Sequence, residues 1–495
     1  MAPSNSVDAL LQPPSNDKYH TLERTPSSYN PLRSFHLAKG EQKHYQQQYA
    51  DMYFARLAVL KPAVERIASE AWEGFEIGGD EVHKVDRVLD VRQGELVWVA
   101  GTVYMEMPLK PNILDDISKH HWIAAPPPRL KFTSGEGDQI MLEDESGRLR
   151  LTGSFLSSCL LVTGCIVAVM GTENANGDFE VIDLKIPELA PQPERWSLVQ
   201  GDGASKKKAE KKEKAGKVAI VSTLGVSGDS GDTMALDMLV EYLLGESASP
   251  AEQDKISSIS RLLIAGNSLS SASPVVNPED LPTKKPSAVK KYGYDASAYN
   301  PAPTDRLDSL LESLLPSIPI TIIPGEQDPT HTSLPQQPMH SALFPRSRAY
   351  MAAPNSEDSA WFDTVTNPWE GDVDGWRVLA TGGQPIDDVF KYVEGDDRLE
   401  MMEATLRWRL CAPTAPDTLW CYPFQDKDRF VIEKTPHIYI VGNQPRFGST
   451  VIQGPDGQSC RIISVPRFKD TGEMVLLDME TLEVEVVKFG LYQQT

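Results

Sequence analysis

Cysteine is scarce in this chain: five in 495 residues, an odd number, with no CxxC pair. That excludes a disulfide framework and a zinc ribbon and fits reduced thiols in cytosol or nucleus. Cys159 and Cys165 stand in apolar context and read as core packing. No apolar run approaches the ~20 residues of a membrane span, so no membrane role is expected. The opening MAPSNSVDALLQPPSNDKYH has neither the basic start nor the apolar core of a secretory signal. No GxxxxGK(S/T), HExxH or GxSxG string occurs, which removes the commonest nucleotide, zinc-protease and serine-hydrolase readings. Positive charge is also short. Lys and Arg number 48 against 70 Asp and Glu, giving a net charge of −22 and a pI near 4.9. Such a chain repels nucleic-acid phosphates, so DNA contact is expected to be weak or indirect.

What is present divides by composition. Residues 1–40, rich in Pro, Ser and Asn, predict a largely disordered tail. Over 41–93 the pattern is helical: Tyr49, Met52, Tyr53, Leu57, Leu60, Val64 and Ile67 recur at spacings of three and four and make one apolar stripe. Pro62 is expected to end the first helix and open a second turn. Tyr45, Tyr49 and Tyr53 read as packing against the next domain. Residues 94–198 read as all-β. Gly101 sits where a barrel strand bends, and 139–144 turns through Glu145-Ser146-Gly147 into 148–153 as a hairpin. Residues 199–217 are a Lys-rich linker. Its 206–217 part reads equally as a nuclear localisation patch or a solvated tether. From 218 to 495 strands alternate with helices, with a polar insertion around 271–305. Met234, Leu236, Leu239, Val240 and Leu243 predict one helix, and Leu307–Leu315 another, capped by Thr304 or Asp305.

The most informative stretch is 318–340, where a β-branched run ends in Pro324-Gly325-Glu326-Gln327-Asp328. Three other apolar runs, 218–221, 262–265 and 437–441, also end in Gly-containing polar turns. Strands of an α/β sheet place sites at their carboxyl ends, so these four ends predict one shared crevice.

The β region resembles an OB-fold barrel, and the region after it resembles the calcineurin-like metallophosphoesterases. Active members of that family hold two cations with Asp-x-His, Gly-Asp-x-x-Asp, Gly-Asn-His-Asp/Glu, His-Gly and Gly-His-x-His, a donor set that clamps phosphate and generates hydroxide. Matched loop by loop, this chain departs from the pattern. Thr223 and Gly225 replace Asp and His. Asn267 and Ser270 replace the two Asp of the second motif. Glu326 and Gln327 stand where Asn and the catalytic His belong. Gly382 replaces the His of the fourth loop, and Asn443 and Pro445 replace both histidines of the last. The resemblance therefore implies a fold of class α/β plus all-β, an OB barrel followed by an inactivated phosphodiesterase sandwich, with no catalytic residue, no metal and no cofactor.

That architecture resembles the B-subunit family of replicative DNA polymerases. The strings LLIAGNSLS, IPGEQDPTHTSLPQQPMHSALFP, APTAPDTLWCYPF and PHIYIVGNQPRFGS, with YADMYFARL and LEDESGR, are similar to its polymerase delta branch. The alpha and epsilon branches are expected to differ in these strings and to carry longer N-terminal regions. The resemblance implies a nuclear scaffold in replication and repair. Its expected partners are the cysteine-rich, metal-binding C-terminal module of the catalytic subunit and the third, elongated subunit, with the sliding clamp reached indirectly. Candidate partner anchors are Trp361, Trp369, Trp376 and Tyr422. Two other classes compete: a divergent metal-dependent phosphodiesterase or nuclease, using Asp328 or His331, and a single-strand binder using the barrel. His340, Asp229, Asp232, Asp372 and Asp374 read as surface or capping groups.

Overall fold

The computed structural model of the chain describes residues 22–38, 48–111, 129–135, 137–195, 216–228, 234–246, 248–270, 300–352 and 360–490. The linker at 199–215, most of the 206–217 patch, residues 271–299, the first 21 residues, Asp229 and Asp232 lie outside them.

The first described element corrects an expectation. Residues 22–38 are not a tail: β1 (Tyr29–Pro31) pairs antiparallel with a strand near residue 371, and Arg24 donates to the carbonyls of Ile256 and Ile259. Tyr29 is what a composition argument overlooks, since its buried ring adds an apolar anchor to a polar stretch.

Helix α1 (Tyr49–Trp72) buries Met52, Leu57, Leu60, Val64, Ala68 and Trp72 along one face. Pro62 lies inside it and does not end it. The proline is exposed, so the carbonyl it leaves unpaired points to the solvent side, and the buried stripe carries the helix through. A small hairpin, β2 (Glu76–Ile77) and β3 (Asp80–Glu81), and β4 (His83–Lys84) follow.

The barrel consists of β4, β5 (Leu96–Glu106), β6 (Gln139–Glu143), β7 (Arg148–Thr152), β8 (Ile166–Glu173) and β9 (Asp178–Lys185). Its order is β4-β5-β6-β7-β9-β8, and β8 closes back on β5. Strand β5 manages both closures by pairing with β8 over Leu96–Thr102 and with β6 from Thr102 onward, bending beside Gly101.

The remainder is two stacked sheets. One has the order β13-β12-β11-β10-β19-β20, using β10 (Lys217–Val221), β11 (Ile259–Ala265), β12 (Ile320–Ile323), β13 (Phe362–Thr364), β19 (Glu473–Asp478) and β20 (Val484–Lys488). The other has the order β1-β14-β15-β16-β18-β17, using β14 (Trp369–Val373), β15 (Trp376–Thr381), β16 (Ile438–Gln444), β17 (Gly448–Gln453) and β18 (Ser459–Pro466). Alternation sets the layers. Val218 and Ile220 point between the sheets, against Trp369, Val378, Ile438 and Ile440. Ala219 and Val221 point outward, where α2 (Met234–Leu244), α3 (Pro250–Ser257) and α4 (Ala302–Leu314) pack. Helix α4 starts earlier than its sequence suggests. Pro301 precedes it and Pro303 lies in its first turn, where a missing N–H costs nothing, so Thr304 and Asp305 are inside the helix. On the outer face of the second sheet, Leu379, Tyr439, Val441 and Ile462 pack with α5 (Gln384–Tyr392), α6 (Arg398–Arg407), α1 and the barrel in one continuous core.

Candidate functional site

The four strand ends do meet, but from two sheets: β10, β11 and β12 belong to one and β16 to the other. At three of them the chain turns through a non-glycine residue in the left-handed region: Thr223 at φ 53°, Asn267 at 52° and Asn443 at 56°. Such a conformation is strained, most of all for β-branched Thr, and persists only where neighbours hold it. Here they do. The Thr223 N–H donates to the Gly266 carbonyl (2.9 Å), and its Oγ1 donates to Asn443 Oδ1 (3.0 Å). The Asn443 N–H donates to Ser222 Oγ (2.6 Å), which itself donates to the Ala265 carbonyl (2.5 Å). Asn267 Oδ1 accepts from the Gln327 N–H (3.0 Å).

Asp328 ties the second and third loops together. Its carboxylate accepts from the backbone N–H groups of Gly325 (2.8 Å), Leu269 (2.9 Å) and Ser268 (3.2 Å). Burial pushes its pKa up to about 6, against the pull of those donors. A carboxylate turned wholly onto backbone has no face for substrate, so Asp328 is a fastener. His331 is exposed, and His340 caps a short turn by accepting from the Ala342 N–H (3.1 Å). Asp372 pairs with Arg377 (2.7 Å) and accepts from Asn30 Nδ2 (3.5 Å), and Asp374 accepts from the Ser28 N–H (2.9 Å), so both help to hold the N-terminal segment.

The strand ends lie in close backbone contact, which closes the floor of the predicted crevice. A Cβ at Gly442 would lie 1.9 Å from the Ala265 carbonyl oxygen. One at Gly382 would lie 2.8 Å from the Pro324 carbonyl oxygen and 2.9 Å from Asn367 Nδ2. No histidine fits at Gly382 as the loops stand. Behind it, Asn367 Nδ2 donates to Gln336 Oε1 (2.8 Å) and Gln384 Oε1 (2.9 Å), and Gln336 Nε2 donates to the Gly325 carbonyl (3.0 Å). These amides satisfy the loop backbones as buried polar groups must be satisfied.

On the open side stands a charged group that the motif comparison passes over. Asp387, on α5, accepts from Arg398 Nη1 (2.8 Å) and from Asn443 Nδ2 (3.0 Å). Burial raises the Asp387 pKa, with Arg398, Asn443 and Arg467 opposing. Arg467 Nε donates to Asn443 Oδ1 (3.1 Å).

A two-metal centre does not fit these residues. The inward-facing donors at the motif positions are amide and hydroxyl oxygens already engaged with N–H and O–H groups. The Glu326 and Gln327 side chains face solvent, Ser270 turns its hydroxyl to the Val226 carbonyl (3.4 Å), and Pro445 has no donor. Among the described residues, no group of three or more His, Cys, Asp or Glu is arranged to hold a metal ion.

The four candidate anchors are scattered. Trp369 is corrected: it is 1% exposed, between the sheets, with Tyr29 stacked on it. Trp361 is 44% exposed, its indole N–H on the Leu315 carbonyl (2.6 Å). Trp376 is half-buried, donating to the Met479 carbonyl (2.6 Å) with Arg195 over its ring. Tyr422 packs edge-on against Phe424 and lines a cavity of about 520 Å³ between residues 34–38 and 422–434. Sequence reasoning missed Trp420, which at 72% is far more exposed than Trp361. No periodicity marks it, because it lies in a loop. It also missed Arg398 and Arg467, which lie outside every motif string.

Comparison with known proteins gives consistent matches. Residues 48–184 match the family model described as the DNA polymerase delta subunit OB-fold domain. Residues 218–449 match the B-subunit family model of DNA polymerases alpha and epsilon. The chain is 38% identical to the DNA polymerase delta small subunit of Saccharomyces cerevisiae, covering 94% of this chain and 93% of that one. It is 35% identical to the DNA polymerase delta small subunit of Arabidopsis thaliana, covering 96% and 98%. It is 31% identical to DNA polymerase delta subunit 2 of Drosophila melanogaster, covering 94% and 99%.

Proposed function

The chain belongs to the family of DNA polymerase delta small subunits, and from that premise we propose that it is a non-catalytic scaffold of the polymerase in nuclear DNA replication and repair. In this reading the two-sheet unit is a calcineurin-like phosphodiesterase sandwich without its metal centre. The chain clasps the cysteine-rich C-terminal module of the catalytic subunit and holds the third subunit, which links the assembly to the sliding clamp. The observation that carries the non-catalytic part is the donor set at the junction of the strand ends. Carboxylate and imidazole positions there hold Thr223, Asn267, Gly382 and Asn443, and the side-chain oxygens among them are taken up by hydrogen bonds within the junction. A net charge of −22 favours basic protein surfaces over DNA. Trp361, Trp376 and Tyr422 stay as partner anchors in this reading, and Trp420 joins them.

Size-exclusion co-elution with the cysteine-rich C-terminal fragment of its polymerase's catalytic subunit tests the scaffold. A stoichiometric complex is expected, and two separate peaks from two folded partners would overturn it. Incubation of the purified chain with Mn²⁺ and bis-p-nitrophenyl phosphate tests the catalytic half. Turnover that survives purification but is lost in Asp328→Ala would restore the hydrolase reading.

A further inference from the structure

We propose that the guanidinium of Arg467 has taken the place of the metal cation at the strand-end junction, and that the junction is now a cation-independent lock between the two sheets. The inference rests on the phosphodiesterase reading of the sandwich and says what became of its metal centre.

The key atom is Asn443 Oδ1. Asn443 occupies the first histidine position of the last motif, on the second sheet. Its amide oxygen receives Thr223 Oγ1 (3.0 Å), from the first motif position on the first sheet, and Arg467 Nε (3.1 Å). An amide oxygen has two lone pairs, and both are used. Where a metal would draw donor oxygens from the two sheets onto itself, N–H and O–H donors from the two sheets converge on one oxygen. The charge is matched as well. The Asn443 Nδ2 donates to Asp387 (3.0 Å), the carboxylate at the junction, which Arg398 pairs with from its other side (2.8 Å). A half-buried guanidinium beside an amide and a carboxylate supplies the positive charge that the site needs, and supplies it permanently.

The backbone around Arg467 makes the same connection. Ser222 and Arg467 form a parallel bridge. The Phe468 N–H donates to the Ser222 carbonyl (2.8 Å), and the Lys469 N–H donates to the Thr223 carbonyl (3.2 Å). The turn that carries Arg467 thus straps the first loop. The Lys469 stem lies over Gly225, the other position of the first motif, where a Cβ would come 2.8 Å from Lys469 Cδ.

Thermal melting of the full chain tests this. Wild type is expected to melt at the same temperature in EDTA and in millimolar Mn²⁺. Arg467→Ala is expected to melt roughly 2–4 °C lower, to recover part of that loss in millimolar methylguanidinium, and to gain nothing from sodium. Arg467→Lys, which keeps the charge, is expected to melt between wild type and Arg467→Gln. That ordering stays readable if the alanine variant does not fold. An EDTA-reversible rise of wild type in Mn²⁺, an Arg467→Ala melt equal to wild type, or Gln serving as well as Lys overturns the lock. Co-elution with the catalytic subunit's module, run on the same variants, separates this from the scaffold reading: a retained complex with a failed melting test overturns the lock alone.

Discussion

The molecule closes two polar contacts in different ways, one at the seam between barrel and sandwich and one at the strand ends. At the seam Arg56 of α1 is 4% exposed, and each of its three guanidinium nitrogens donates a hydrogen bond. It bonds Asp428 (2.7 Å) and the carbonyls of Pro413 and Ala415 (2.9 Å each), while the Asp428 side chain is 0% exposed. At the strand ends the charge is only half-buried, and the work is divided among amides, backbone donors and glycines. A buried pair adds little net stability, because both charges are desolvated, yet it is costly to break, because removing one partner strands the other in low dielectric. In a distributed junction no single charged partner carries the contact. Arg56→Ala is therefore expected to cost about 3–5 kcal/mol, read by urea unfolding, and to exceed Arg467→Ala by a clear margin. Arg56→Met combined with Asp428→Leu is expected to recover only part of that loss, because the carbonyls of Pro413 and Ala415 and the Phe430 N–H lose their partners. Equal losses for the two arginine variants would mean that the seam and the junction fail in the same way.

At the junction it is a missing side chain that cannot be replaced. Gly442→Ala places a methyl group 1.9 Å from the Ala265 carbonyl oxygen, and backbone is what must move. The expected cost is about 3 kcal/mol, the upper end for overpacking. Gly395→Ala, where nothing lies within 4 Å of the added carbon, is the control and is expected to stay within about 0.5 kcal/mol. Matched losses would mean that the close approach at Gly442 is not what seals the loops.

Asp328 adds a pH-dependent element to the same junction. Burial raises its carboxyl to about 6 from an unfolded value of 3.8, so the folded chain holds a proton that the unfolded chain has released. The stability this contributes is present below the unfolded value and is lost as pH rises through about 6. Asp328→Asn does not titrate. Wild type is then expected to exceed it most near pH ~4 and least above pH ~7, with roughly 2 kcal/mol between the extremes. A pH-independent gap in urea midpoints would place the titration elsewhere.

Sequence legibility follows the same division. Strands 218–221, 262–265 and 437–441 were readable because an apolar run ended by glycine leaves few alternatives, and the hairpin at 139–152 because its turn chemistry is local. The strand ends were readable as loops that meet, but not as loops that shut. Closure depends on distances between Gly442 and Ala265 or between Gly382 and Pro324, which no one-dimensional pattern carries. The N-terminal strand was hidden because three residues pair with a partner far along the chain. Arg467 was hidden because its role exists only through Asn443 and Thr223, each brought to it by a different sheet.

The smallest expected effect on stability belongs to the most exposed indole. The Trp420 carbonyl accepts from the Leu334 N–H (2.9 Å), and the Tyr49 hydroxyl donates to the next carbonyl, that of Cys421 (3.1 Å). The backbone is fixed while the ring itself stands 72% exposed. Such a ring contributes little to folding but presents a rigid apolar surface at low entropic cost to a partner. Trp420→Ala is expected to change unfolding stability by no more than about 0.5 kcal/mol, and to weaken the complex with the catalytic subunit's module by roughly tenfold or more, about 1.4 kcal/mol. Trp369→Ala has the opposite signature, because a ring 1% exposed can be lost only at the expense of the core. If Trp420→Ala binds like wild type, exposure alone does not mark the anchor, and Trp361, Trp376 and Tyr422 are the next to be replaced. If it folds normally and binds poorly, the surface beside the start of α1 that Trp420 presents is where the partner sits.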